Sequence, residues 1–156
     1  MNYNYFDFKK KYGQNFLRDI SIPRRIVDVA NISTDSLVVE IGPGAGILTK
    51  VLASKARNVL CYEIDESLEP ILDSELISYD NVDIIFDDFL NRDIAKDIEK
   101  YHYSHLYVVA NLPYYITTPI ITKLIDANID LEKIVVMVQK EVADRFCAKP
   151  GSRDYG

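Results

Sequence analysis

The 156-residue chain has no tryptophan, two methionines, two histidines and two cysteines. Cys61 and Cys147 stand far apart and define neither a disulfide framework nor a metal-ligand spacing. A reducing cytoplasm is the simplest setting, with both cysteines expected as small core-like side chains. No stretch approaches the roughly 18 consecutive apolar residues of a membrane span. Met1-Asn2-Tyr3-Asn4-Tyr5 lacks the basic-then-apolar order of a secretory leader. Internal repeats, low-complexity tracts and linkers are missing too, so a single domain is expected. Apolar residues make up 48% and charged residues 27%, which excludes a disordered or fibrous chain. A chain of this length hides about two-thirds of its unfolded surface and needs no crosslinks to build a core.

The net charge of −6 argues against nonspecific binding to nucleic acid. The charge is unevenly spread. Residues 1–25 carry six bases (Lys9, Lys10, Lys11, Arg18, Arg24, Arg25) against Asp7 and Asp19, a local +4, while residues 26–156 sum to −10. A basic arm on an acidic body can still meet a phosphate backbone locally; a solvated tail is the plainer alternative.

Short β-rich runs alternate with longer amphipathic stretches, which predicts an α/β chain with a mostly parallel sheet and flanking helices. The runs are Leu37–Ile41, Val59–Ile64, Val82–Phe86, Leu106–Ala110 and Ile134–Val138. Each is nearly continuous in Val, Ile, Leu or Tyr, as strands buried on both faces require. Helices are expected over Ile47–Ala56, Glu66–Ile77 and Pro119–Asn128, the last with proline in its first turn, and Asp93–Tyr101 is a further candidate. Ser21 is placed to cap a helix from about Pro23 to Ala30. The polar, turn-forming end, Lys149-Pro150-Gly151-Ser152-Arg153-Asp154-Tyr155-Gly156, is an awkward place for such a domain to finish, and a longer protein is expected.

Glu40-Ile41-Gly42-Pro43-Gly44-Ala45-Gly46 lies between the first strand and its helix. Glycines there let the backbone turn sharply and approach a ligand. The dinucleotide fingerprint needs glycine at position 47, which is Ile47, so an adenosine cofactor without phosphates fits better than NAD. A plain strand-to-helix turn is the bland alternative. Glu63 ends the second strand 21 residues beyond Gly42, where an acid can accept hydrogen bonds from both ribose hydroxyls. Its alternative, capping the next helix, suits Asp65 better. Asp87-Asp88 ends the third strand, and Asp88 is the choice of the pair for an adenine amino group.

After the fourth strand comes Asn111-Leu112-Pro113-Tyr114, opening onto the same edge. Such a turn suits methylation of an exocyclic amine, whose lone pair is delocalised into its ring. The Asn111 side-chain carbonyl and the Leu112 backbone carbonyl would accept the two amine hydrogens. Pro113 supplies no competing N–H, and Tyr114 would stack on the extruded base, worth about 1–3 kcal/mol. Methyl transfer is then in-line displacement helped by positioning and electrostatics.

These motifs, with Tyr12-Gly13-Gln14-Asn15-Phe16-Leu17 before them and Gln139-Lys140-Glu141-Val142-Ala143 after, follow one another in an order that closely resembles the bacterial small-subunit (16S) rRNA adenine N6,N6-dimethyltransferases over residues 9 to 156. The resemblance implies a Rossmann-like class I fold and S-adenosylmethionine as cofactor. It implies dimethylation of two neighbouring adenosines in small-subunit rRNA of an immature ribosomal subunit, in the cytoplasm and by a monomer, without metal or membrane. By the same resemblance Asn15, Leu17, Gly42, Gly44, Glu63, Asp88 and Asn111 hold the cofactor, while Asn111, Leu112, Pro113 and Tyr114 serve the target base. Residues 1–35 would form a basic arm and helix covering the cofactor site, and 36–156 the Rossmann-like core. Family members continue into further strands and a helical domain, so a piece of this length is expected to bind cofactor and to act poorly on RNA. Loop adenosines are already partly unstacked, which lowers the cost of presenting the base.

The nearest rival is the large-subunit rRNA methyltransferase group linked to macrolide-type resistance, with the same fold and chemistry; by resemblance alone, Gly13-Gln14-Asn15 and Leu112 lean towards the small-subunit group. A non-catalytic assembly or transcription factor with the same fold would have lost Glu63 or Asn111, and both are present. A nicotinamide dehydrogenase is disfavoured by Ile47 and by the absence of an evident hydride-relay histidine. His102 and His105 lack a nearby third ligand and read as surface-loop residues, and the tyrosines around them as packing.

Overall fold

The computed structural model describes residues 20–112, 114–137, 143–145, 147–149 and 151. Five strands, β1 Ser36–Ile41, β2 Asn58–Glu63, β3 Val82–Phe86, β4 His105–Asn111 and β5 Lys133–Met137, form one sheet in the order β3-β2-β1-β4-β5. Every neighbouring pair is parallel. The helices are α1 Ser21–Ala30, α2 Ile47–Ala53, α3 Glu69–Leu76, α4 Ile94–Ile98 and α5 Tyr114–Asp126, with short 3-10 turns over Glu66–Leu68 and Phe89–Asn91. Each predicted strand lies within a residue or so of its position, and Val82–Phe86 coincides.

Alternation along the strands divides the core between the two faces of the sheet. Leu37, Val39, Ile41, Leu60, Tyr62, Leu106 and Val108 face α4 and α5, which contribute Ile94, Ile98, Ile120 and Leu124. Val38, Val59, Cys61, Tyr107 and Val109 face α1 and α2, which contribute Ile26, Val27, Leu48 and Leu52. A side chain such as Leu52 or Leu124, essentially fully buried, is worth about 1.5–3 kcal/mol by burial. Lys133 Nζ, at the start of β5, donates to the carbonyls of Ala30 at 3.0 Å and Val29 at 3.4 Å. It thereby satisfies the open C-terminal end of α1 and ties that helix to the sheet edge.

Four expectations change. Ser21 is the first residue of α1 and not its cap; Ile20 precedes the helix and makes no side-chain cap bond. Pro23 sits in the first turn, where its missing N–H costs nothing. Pro119 lies inside α5, which starts five residues earlier than predicted. Burial of Ile116, Ile120 and Leu124 on one stripe holds that helix together, with Pro119 on its exposed side. The Glu66–Ile77 segment divides into a 3-10 turn and α3. Cys61 is buried as expected, but Cys147 is exposed, in a helical turn whose Cys147 N–H donates to the Ala143 carbonyl. Tyr101 and Tyr103 pack against the core as expected.

Candidate active site

The chain leaves β1 toward β2 on one side and reaches β4 on the other, so the strand order reverses at β1. In open parallel sheets, ligands bind outside the carboxyl ends of the strands at such a reversal. The glycine loop follows β1, Glu63 ends β2, Asp88 follows β3 and Asn111 ends β4. The four groups therefore sit on four adjacent strands, across three interstrand spacings or about 14 Å.

Gly42 and Gly44 both adopt left-handed backbone, at φ +78° and +58°. A Cβ on Gly42 would come within 3.2 Å of Leu112 Cδ2, so the glycine loop and the turn after β4 are in near contact there. A Cβ on Gly44 would meet nothing within 4 Å, which leaves open space above its backbone. Gly44 N–H donates to Glu63 Oε2 at 3.1 Å. Glu63 Oε1 accepts from Asp65 N–H at 3.0 Å, and the Glu63 carbonyl accepts from Asp87 N–H at 2.9 Å. Glu63 is 1% exposed and joins three loops of the carboxyl edge. Asp65 takes the capping role, accepting from Ser67 N–H at 3.1 Å and Ser67 Oγ at 2.6 Å.

The acids after β3 are unequal. Asp87 has both oxygens engaged, Oδ1 by Asp88 N–H at 2.8 Å and Oδ2 by an Arg92 Nη at 3.4 Å. Asp88 Oδ1 accepts from Leu90 N–H at 2.9 Å, while Oδ2 has only the Asn91 side-chain amide at 3.5 Å among the described residues. Asp88 is thus the acid with acceptor capacity to spare. Asn111 is exposed at the end of β4, and Leu112 packs partly on the core. Tyr114 is the first residue of α5. Asn15, Leu17 and Pro113 lie outside the described residues.

Two further residues, Ile64 and Glu40, gain a place at the site only from the structure. Ile64, 51% exposed beside Glu63, offers the apolar surface that a flat ring would cover; an apolar residue directly after a strand-end acid is the signal. Glu40 is 2% exposed at the base of the glycine loop. Burial pushes its carboxyl up to about 7, against the Thr49 and Cys61 side chains and aided by the Glu63 charge. Cys61 Sγ lies 3.6 Å from Glu40 Oε2 and donates to it. No group of three potential metal ligands occurs among the described residues. His105 opens β4, with Nδ1 at 3.2 Å from Glu132.

A parallel sheet reversing at β1, a glycine loop without the third dinucleotide glycine, and acids ending the next two strands together define a Rossmann-like, class I methyltransferase fold. Residues 5–156 match the family described as ribosomal RNA adenine dimethylase, and the chain belongs to that family. The ribosomal RNA small subunit methyltransferase A of Geobacillus thermodenitrificans is 54% identical over 153 residues, 97% of this chain and 52% of its own length. The chain spans about half the length of the curated relatives it matches. Among solved structures, a dimethyladenosine transferase from Plasmodium falciparum superposes with TM-score 0.74 at 29% identity, over 88% of this chain and 48% of that one. The 23S rRNA methyltransferase ErmE gives 0.70 at 32% identity, over 82% and 49%.

Proposed function

We propose that this chain holds S-adenosylmethionine and acts in transferring its methyl groups to the N6 amines of two adjacent adenosines of small-subunit rRNA. The setting is an immature ribosomal subunit in the cytoplasm, and the acting form is a monomer. The observation that carries this is the alignment of the Gly44 backbone, Glu63, Asp88 and Asn111 at the carboxyl ends of four neighbouring strands. Adenosine fits there. The space over Gly44 admits a ligand where a side chain would intrude, Glu63, whose oxygens each accept one backbone N–H and carry further lone pairs, suits the ribose hydroxyls, Ile64 one face of the adenine and the spare Asp88 oxygen its amino group. Asn15 and Leu17 are assigned to the cofactor by the family resemblance alone.

The bound cofactor supplies an electrophilic methyl group; the chain supplies orientation. The Asn111 side-chain carbonyl and the Leu112 backbone carbonyl accept the two hydrogens of the target amine. That favours a pyramidal nitrogen whose lone pair points at the methyl group. Pro113 stiffens the turn, and Tyr114 stacks the target base. Small-subunit rRNA is preferred over large-subunit rRNA as substrate because the small-subunit methyltransferase relatives are 50–54% identical and ErmE 32%.

Calorimetric titration of the chain with S-adenosylmethionine, with NAD as control, tests the cofactor assignment. Binding of the first alone is expected; equal binding of both, or of NAD alone, overturns it. For the reaction, Asn111→Ala in a protein of the relatives' full length is expected to lower methyl transfer to small-subunit rRNA about a hundredfold, as loss of one oriented polar group in a transition state does. An unchanged rate removes Asn111 from the chemistry.

A further inference from the structure

A clamp of side chains closes around the turn that carries Asp88, and nothing in the proposed chemistry uses it. Arg92 follows that turn. Its Nε and one Nη bind Asp97 in bidentate fashion, at 3.1 Å to Oδ2 and 2.6 Å to Oδ1, and the other Nη reaches Asp87 Oδ2 at 3.4 Å. Asp97 also accepts from the buried Tyr62 hydroxyl at 3.0 Å. The Tyr62 ring in turn packs edge-to-face on Phe89, the residue after Asp88, with centroids 5.1 Å apart. Lys123 of α5 donates to the Leu90 carbonyl at 3.0 Å. The turn over residues 87–92 is therefore pinned at its first, third, fourth and last residues, while Asp88, between the pins, keeps an oxygen for a ligand.

We propose that Arg92 is a positioning residue for adenine recognition, holding the Asp87–Asp88 turn so that Asp88 alone presents an acceptor to the exocyclic amine of the cofactor. This deepens the cofactor assignment above and rests on it. The planar guanidinium suits the task because it bridges two carboxylates in fixed directions, which a lysine ammonium does not. Asp87, with one oxygen on Arg92 and the other on the Asp88 amide, is kept from competing for the same amine. Arg92 holds the Asp97 carboxyl below the usual carboxylate range, chiefly by hydrogen bonding, so the clamp stays ionised through neutral pH.

The test is a discrimination ratio. The chain and its Arg92→Met, Arg92→Lys and Asp97→Asn variants are titrated with S-adenosylhomocysteine and with S-inosylhomocysteine, which carries a carbonyl in place of the amine. The wild type is expected to favour the adenosyl compound by about 10- to 100-fold, as a hydrogen bond to a charged acceptor requires. Arg92→Met is expected to lose most of that preference, and Arg92→Lys and Asp97→Asn part of it. Thermal unfolding of each variant shows that it is folded, and Asp97→Asn probes the clamp independently should Arg92→Met not fold. Weaker binding with an unchanged ratio in the folded variants would mean that the clamp merely stabilises, and overturns the proposal. Failure of the wild type to bind S-adenosylhomocysteine would instead overturn the cofactor assignment, and this inference with it.

Discussion

Replacing Gly44 with alanine separates what the glycine loop does for folding from what it does for a ligand. The substitution keeps the N–H that donates to Glu63, and the new Cβ meets nothing within 4 Å. The folded chain therefore loses only the conformational term of an alanine at φ +58°, about 1–2 kcal/mol. For a chain of this size that lowers the melting temperature by about 3–7 °C. The methyl group instead occupies the space assigned to the cofactor, where forcing one extra carbon into a filled site costs about 1–3 kcal/mol. Affinity for S-adenosylmethionine should thus fall about 5- to 150-fold, measured by calorimetry at a temperature where the variant is fully folded. Gly151→Ala is the matched control, since its φ is +87° and its Cβ also meets nothing; it should leave affinity unchanged. If Gly44→Ala melts as calculated but binds within twofold of wild type, the space over Gly44 is not where the cofactor lies.

Glu63→Gln keeps the shape of the side chain but removes its charge and one acceptor, and should weaken cofactor binding by about 1.5–3 kcal/mol; unchanged affinity on titration would falsify its ribose role. Glu40 yields a prediction in pH. Its folded value of about 7 lies above its ordinary 4.5, so the folded state binds a proton that the unfolded state releases between those values. Stability should therefore fall by up to roughly 3 kcal/mol as pH rises from 4.5 to 7, then level off. Urea unfolding should show that fall in the wild type and its absence in Glu40→Gln; parallel profiles would show that Glu40 does not titrate in this range.

The strands are readable because burial on both faces favours nearly continuous apolar runs: Val38 and Val39, on opposite faces of β1, are equally inaccessible. Asp65 as a cap was readable because the acceptor and its donors lie two residues apart. Pro119 misled because local chemistry places proline in a first turn, whereas the stripe Ile116, Ile120, Leu124 decides where α5 begins. The ties of Glu63 to Gly44 and of Tyr62 to Asp97 join residues 19 and 35 positions apart. They exist only once strands lie side by side, and no spacing announces them. Sequence alone offers no physical ground for choosing Asp88 over Asp87; the hydrogen bonds of Asp87 to Arg92 and to the Asp88 amide supply one.

Strand order also sets a timetable for synthesis. β1 pairs with β2 soon after it is made, but its second partner is β4, whose Ala110 lies opposite Ile41. About 70 residues separate those two, so at 5–20 residues per second the ribosome takes roughly 4–14 s to deliver β4. Throughout that interval a strand destined to be buried at every position presents a bare edge, open to any other extended segment in reach. The proposed cofactor site is incomplete as well, because Asn111 at the end of β4 is still to be translated. The nascent chain therefore passes through a stage in which chaperones can protect it and its own small-molecule ligand cannot.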